Sequence, residues 1–190
     1  MSTSVFLWSI LAITTFWAVG AYNRLVRLRA QCLESFVPLG QHLLRYARVT
    51  QDFATTGALS SVGDSAQQLE GSPELWTQLE SELEALKLLV RDFKSAHLDV
   101  KVVALNKSGN AISAIWGRMR SMPLDLAGAA LPEKLVREWD ENSMNVKVAI
   151  DRFNENVAVY NAAVAQFPAK MIGSFFDIKP AAQISIFNEV

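Results

Sequence analysis

The sequence predicts an all-α protein: an N-terminal transmembrane helix followed by an antiparallel helical bundle. Three observations carry this. No charged side chain precedes Arg24. After it, apolar residues recur every three to four positions through long runs. No stretch alternates apolar and polar residues with the period of two that a half-buried strand needs.

The first element is the span. Val5, Phe6, Leu7, Trp8, Ile10, Leu11, Ile13, Phe16, Trp17, Val19 and Tyr22 give it an apolar surface, with Trp8 and Trp17 near its two ends. About 20 helical residues at 1.5 Å rise cross the roughly 30 Å hydrocarbon layer, and residues 1–23 are long enough to do so. A secretory signal would carry a basic leading region and a shorter apolar core. Here Ala18-Val19-Gly20 weakly resembles a cleavage site, but no Lys or Arg comes before the apolar run, so residues 1–23 are expected to stay as an anchor. A buried core helix would show a polar face, whereas the Ser and Thr residues here are scattered. Arg24, Arg27 and Arg29 all follow the span, which by the positive-inside bias places the C-terminal domain in the cytoplasm and the N-terminus outside, with a single pass through the membrane. The same three arginines are the candidates for topology or lipid contact, although a lipid-recognising cluster usually holds more cations. The one cysteine, Cys32, forms no intrachain disulfide, which is compatible with a reducing compartment.

Residues 24–180 have the size of one domain, followed by a tail at 181–190. With 18 basic and 19 acidic residues, the near-neutral balance argues against a nucleic-acid partner. Gly57, Gly63 and Gly71-Ser72-Pro73 mark one loop, and Met122-Pro123, Gly128 and Leu131-Pro132 mark another. The first helical stretch continues out of the membrane through Leu25, Leu28, Leu33, Phe36, Leu39, Leu43 and Tyr46. Pro38, which lacks an N–H, predicts a kink or break near Val37. Residues 54–71, rich in Ser, Thr, Gly and Gln, read as loop.

Ser72 is placed as an N-cap, with Pro73 at the first helical position and Glu74 at the positive end of the helix dipole. Leu75, Leu79, Leu83, Leu86, Leu89 or Val90, and Phe93 then form an apolar face, with Glu80, Glu82, Glu84 and Lys87 directed outward. A third run carries Val102, Val103, Leu105, Ile112, Ile115, Trp116 and Met119. Gly109 in its middle predicts a local break or a helix weakened by roughly 1 kcal/mol. The last run starts at Pro132 and Glu133, carries Leu135, Trp139, Val146, Ile150, Phe153, Val157, Tyr160, Val164 and Phe167, and ends at Pro168. The apolar segment from Met171 to Phe176 follows it.

Within that last helix Phe153-Asn154 recurs seven residues later as Tyr160-Asn161. Seven residues are two turns, so the aromatics share one face and the amides another. An aromatic ladder packs against a neighbouring helix, and amides fix register through hydrogen bonds. Left buried without a partner, each amide would cost about 1–3 kcal/mol, so Asn154 and Asn161 must be exposed or satisfied. Together with Tyr22-Asn23-Arg24-Leu25-Val26-Arg27-Leu28-Arg29 at the membrane exit and Phe167-Pro168 after the last helix, these motifs resemble the LemA family of bacterial proteins. The resemblance covers residues 22–48 and 151–180, while the middle departs from the family pattern. It implies a membrane helix and a helical bundle, and supplies no catalytic residues.

The candidates for chemistry are few. His42 and His97 have no second His, Cys or paired carboxylate at ligand spacing on their own helices. Cys32 reads as a packed thiol, and Glu80, Glu82 and Glu84 as a solvated face. Asp151 and Glu155, one turn apart, have Arg152 beside them and read as ordinary surface. Asn106-Lys107-Ser108 fits a glycosylation pattern for which a cytoplasmic domain has no use. The sequence therefore predicts no catalytic residues, no metal site and no cofactor. The expected partners are the lipid bilayer and an unknown protein, and the helix faces that close a monomeric bundle would serve equally to close a homo-oligomer.

Overall fold

The computed structural model describes residues 2–60, 73–93, 98–121, 131–167, 170–171 and 178–186. Its helices are α1 (Ser2–Ser60), α2 (Pro73–Arg91), α3 (Leu98–Ser121) and α4 (Glu133–Ala165), with no strand among the described residues. The expected N-cap Ser72, the loop residues Gly63, Gly71, Met122-Pro123 and Gly128, and His97, Pro168, Phe175 and Phe176 lie outside them.

α1 is 59 residues long and runs from the apolar leader into the core. Its 18-residue apolar window has a mean hydropathy of 1.7, and none of it is buried against the rest of the protein. From Leu25 onward the helix changes character. Leu25, Cys32, Phe36, Leu39, Leu43 and Tyr46 are buried, as their spacing along one face requires. Of the kink or break expected at Pro38, the break does not occur. Proline removes one helical hydrogen bond, but Phe36, Leu39, Gly40 and Leu43 around it are packed inward, so tertiary burial holds the helix together while Pro38 faces out. The loop expected to begin at residue 54 also starts later, because α1 extends to Ser60. Phe53 explains part of this by stacking on Trp76 of α2, with ring centroids 5.8 Å apart.

α2 opens at Pro73 with Glu74 in its first turn, and buries Leu79, Leu83 and Leu86. α3 passes through Gly109 unbroken, the second of the two outcomes expected there. It buries Val102, Leu105, Ile112, Ile115, Trp116 and Met119, while Val103 faces solvent, because it falls off the stripe that Val102 and Leu105 define. α4 follows Pro132, whose φ of −57° and ψ of 131° hold the residue outside the helix. It ends at Ala165, with Gln166 extended, so Phe167 lies beyond the helix and is 70% exposed rather than core.

The helices run up, down, up, down relative to α1. α1 packs against α4 and α2, and α2 against α3. Phe36, Phe93 and Phe153 join α1, the end of α2 and α4 in one aromatic cluster, with Phe36 stacked on Phe93 at 3.4 Å. A second layer places Trp139 between Tyr46, at 4.4 Å, and Trp116, at 4.0 Å. Polar ties fix the α1–α4 register: Asn142 Nδ2 donates to the His42 carbonyl at 2.9 Å, and the Tyr46 and Ser143 hydroxyls pair at 2.9 Å. α3 and α4, the first and last members of this open ring, make no close backbone approach among the described residues. At one end Trp116 and Trp139 bridge that gap, helped by the two hydrogen bonds of Arg120 to the Asp140 carboxylate. At the other end something else fills it.

Candidate functional site

The filling is the chain itself. Residues 178–186 form a non-helical strap along the seam between α3 and α4, with Ala181, Ile184 and Ile186 buried in the common core. Asparagine carboxamides hold its backbone. Asn161 Nδ2 donates to the Ala181 carbonyl at 2.9 Å, and its Oδ1 accepts from the Ala181 N–H at 2.8 Å. Asn154 does the same to Ile184, with both bonds 2.8 Å long. From α3, Asn106 Nδ2 donates to the Gln183 carbonyl at 3.1 Å and its Oδ1 accepts from the Ser185 N–H at 3.0 Å. The Tyr160 hydroxyl donates to the Lys179 carbonyl at 2.9 Å.

A carboxamide carries the same donor and acceptor pair as a peptide group, so each asparagine acts as a short piece of neighbouring strand. Residues 183 and 185 turn their polar groups to α3 and residue 184 turns its own to α4, the alternation of an extended chain. Seven helical residues between Asn154 and Asn161 rise about 10.5 Å, close to the roughly 10 Å that three outstretched residues can span. Ala181 and Ile184 both turn to α4, so the alternation holds over residues 183–185 and not back to Ala181. Gly109 makes the last contact: a Cβ placed on it would lie 2.5 Å from Ile186 Cγ2 and 2.9 Å from Ile186 Cβ, so the strap sits directly on the α3 backbone.

The structure thus satisfies the Asn154 and Asn161 amides and puts Phe153 and Tyr160 in the core. Their partner is the strap, of which sequence reasoning placed residues 178–180 at the end of the bundle domain and 181–186 in the tail. Asn106, read from sequence only as part of a glycosylation pattern, is the third clamp. The available signal was Ile184-Ser185-Ile186, too short an alternation to register as a strand.

A second feature lies where the bundle meets the apolar leader. Trp17, Gly20, Ala21, Arg24 and Leu25 of α1 face Ala163, Gln166 and Phe167 across a cavity of about 370 Å³. Phe167 and Trp17 are in ring contact, with centroids 5.5 Å apart. Phe167, 70% exposed, therefore lies at the level of the apolar leader, and Met171 is 57% exposed. Of the three arginines, Arg24 borders this cavity and Arg27 is exposed, whereas Arg29 is half-buried nearer the core. Tyr22 and Asn23 are exposed on α1. Apart from the half-buried Ala18, residues 4–20 are exposed along their length.

The remaining candidates stay apart. Among the described residues no three His, Cys, Asp or Glu side chains converge. Asp151, Glu155, Glu80 and Glu84 are exposed; Glu82 is half-buried and accepts from the Ser108 hydroxyl at 3.2 Å. Cys32 is fully buried, and burial pushes its thiol pKa up from an ordinary 9.0 to about 11, away from the reactive thiolate. Burial likewise pushes Tyr46 up from 10.0 to about 12, its bond to Ser143 offsetting part of the effect. Tyr160 is also raised by burial, with Arg29 pulling it partly back. Comparison of the chain with protein-family models, with curated proteins and with solved structures gave no match.

Proposed function

We propose that this chain is a divergent LemA-like protein that acts without catalysis, as an interaction or scaffold module at the cytoplasmic face of the bacterial inner membrane. The supporting observation is the continuity of α1, which joins an unburied apolar leader to a packed core without interruption. Tethering confines the bundle to a thin layer above the lipid, which raises the effective concentration of any partner already there and needs no cofactor. Arg24, Arg27 and Arg29 set the orientation in this reading. Proximity labelling in living cells, with the labelling enzyme fused after Val190, tests it. The expected result is a reproducible set of cytoplasmic inner-membrane neighbours that is lost when residues 1–23 are deleted. Labelling of periplasmic proteins reverses the orientation, and an unchanged set after deletion removes the tether from the argument.

The contact between Phe167 and Trp17 favours a second reading, lipid sensing or envelope maintenance. In this reading the exposed Phe167, beside Trp17 and Arg24, and the exposed Met171 after it enter the headgroup boundary. Replacing both residues by Asp separates the two readings. Weaker liposome binding by the anchorless domain, with the fold intact, supports lipid contact, and unchanged binding excludes it.

A further inference from the structure

We propose that the α3–α4 seam is a binding site for an extended peptide, occupied within one molecule by its own residues 178–186, and that the same segment of a second copy takes that place. This extends the interaction reading by naming a partner.

The recognition is built for a ligand. The Asn106, Asn154 and Asn161 carboxamides hydrogen-bond to the backbone of the strap, at Ala181, Gln183, Ile184 and Ser185, as a sheet edge reads a peptide that joins it. Selectivity comes from three seats: a small residue at 181 and aliphatic residues at 184 and 186, the last lying on bare backbone at Gly109. α3 and α4 do not close on each other there, so the groove belongs to the helices and the strap only fills it. The pattern small-x-x-Ile-x-Ile occurs in the chain as Ala181-Ala182-Gln183-Ile184-Ser185-Ile186, so every copy carries both groove and matching peptide. Exchange of identical segments between copies preserves every contact. A shared membrane adds to this by holding all grooves upright and at one height.

The test uses full-length chains in two complementary forms. Ile184→Asp spoils the strap and leaves the groove. Asn154→Asp spoils the groove, because a carboxylate oxygen then faces the Ile184 carbonyl, and leaves the strap. Differently tagged Ile184→Asp and Asn154→Asp chains, co-expressed and purified in mild detergent, are expected to co-purify, while each with itself does not. An excess of a synthetic peptide of residues 178–186 should break the pair. The same peptide should bind Ile184→Asp at least about tenfold more tightly than the unaltered chain, whose own strap competes at high effective concentration. Mixed pairs no more abundant than the homotypic ones overturn exchange between copies. Peptide bound equally by Ile184→Asp and by Ile184→Asp/Asn154→Asp overturns the groove itself. Hydrogen exchange on the unaltered chain gives an answer that depends on no variant. Amides of Ala181, Ile184 and Ser185 are expected to exchange at least about tenfold faster than buried amides of α4, reporting separate opening of the strap. Exchange of strap and α4 at one common rate makes the strap core rather than ligand, and overturns the proposal. Because none of these measurements depends on topology or cellular neighbours, their failure is distinct from failure of the membrane-scaffold reading.

Discussion

Two buried side chains set the chemistry that single residues of this protein display. Cys32 combines complete burial with a raised thiol pKa, so alkylation at neutral pH is expected to need unfolding. Mass spectrometry after maleimide treatment, with and without denaturant, checks this, and rapid labelling of the folded chain would contradict it. Tyr46 is fully buried with its pKa raised from 10.0 to about 12. The protonated form is the one the fold holds, so its contribution is complete below pH 10 and disappears as pH climbs through about 12. That contribution is roughly 3 kcal/mol. Denaturant midpoints should therefore fall between pH 10 and 12, and Tyr46→Phe should flatten part of that decline. Asn154 and Asn161 show what a sequence discloses at this scale. Their periodicity left them either exposed or satisfied, and an amide's partner is fixed by where the chain returns, which helical spacing does not encode.

Glycine separates the helices by what each position touches. Gly109→Ala drives a methyl group into Ile186 and is expected to destabilise the protein by about 1–3 kcal/mol. Gly117 has open space where its Cβ would be, and Gly117→Ala should stabilise α3 by up to about 1 kcal/mol. Thermal melts of the two variants, moving in opposite directions, check both. A propensity scale alone would predict the same sign for each. The apolar faces of all four helices were legible because a 3.6-residue period is a local property: Leu39, Leu83, Ile112 and Val157 are each buried where the pattern placed them. The unbroken helix at Pro38 was not legible, since burial on both sides outweighs a cost that is local to one residue, whereas at Gly109 the sequence left a continuous helix open. The strap was missed for a related reason. Residues 178–186 take their shape from Asn106, Asn154 and Asn161, which lie at least 17 positions away in sequence.

For the molecule as a whole, the anchor reading makes a direct physical demand. Alkaline carbonate washing should leave the intact chain with the membrane pellet, and a chain recovered in the wash would remove the span from the account. The continuity of α1 has a mechanical consequence. Its 59 residues make a rod of about 88 Å, roughly 55 Å of it past residue 23. In the anchor reading such a rod is a lever: a change in bilayer thickness that tips the leader by ten degrees would swing the far end near Ser60 through about 10 Å, on the ordinary scale of mismatch-driven tilting. The bundle packed along it would move with the shaft, turning a property of the lipid into a displacement of everything mounted above.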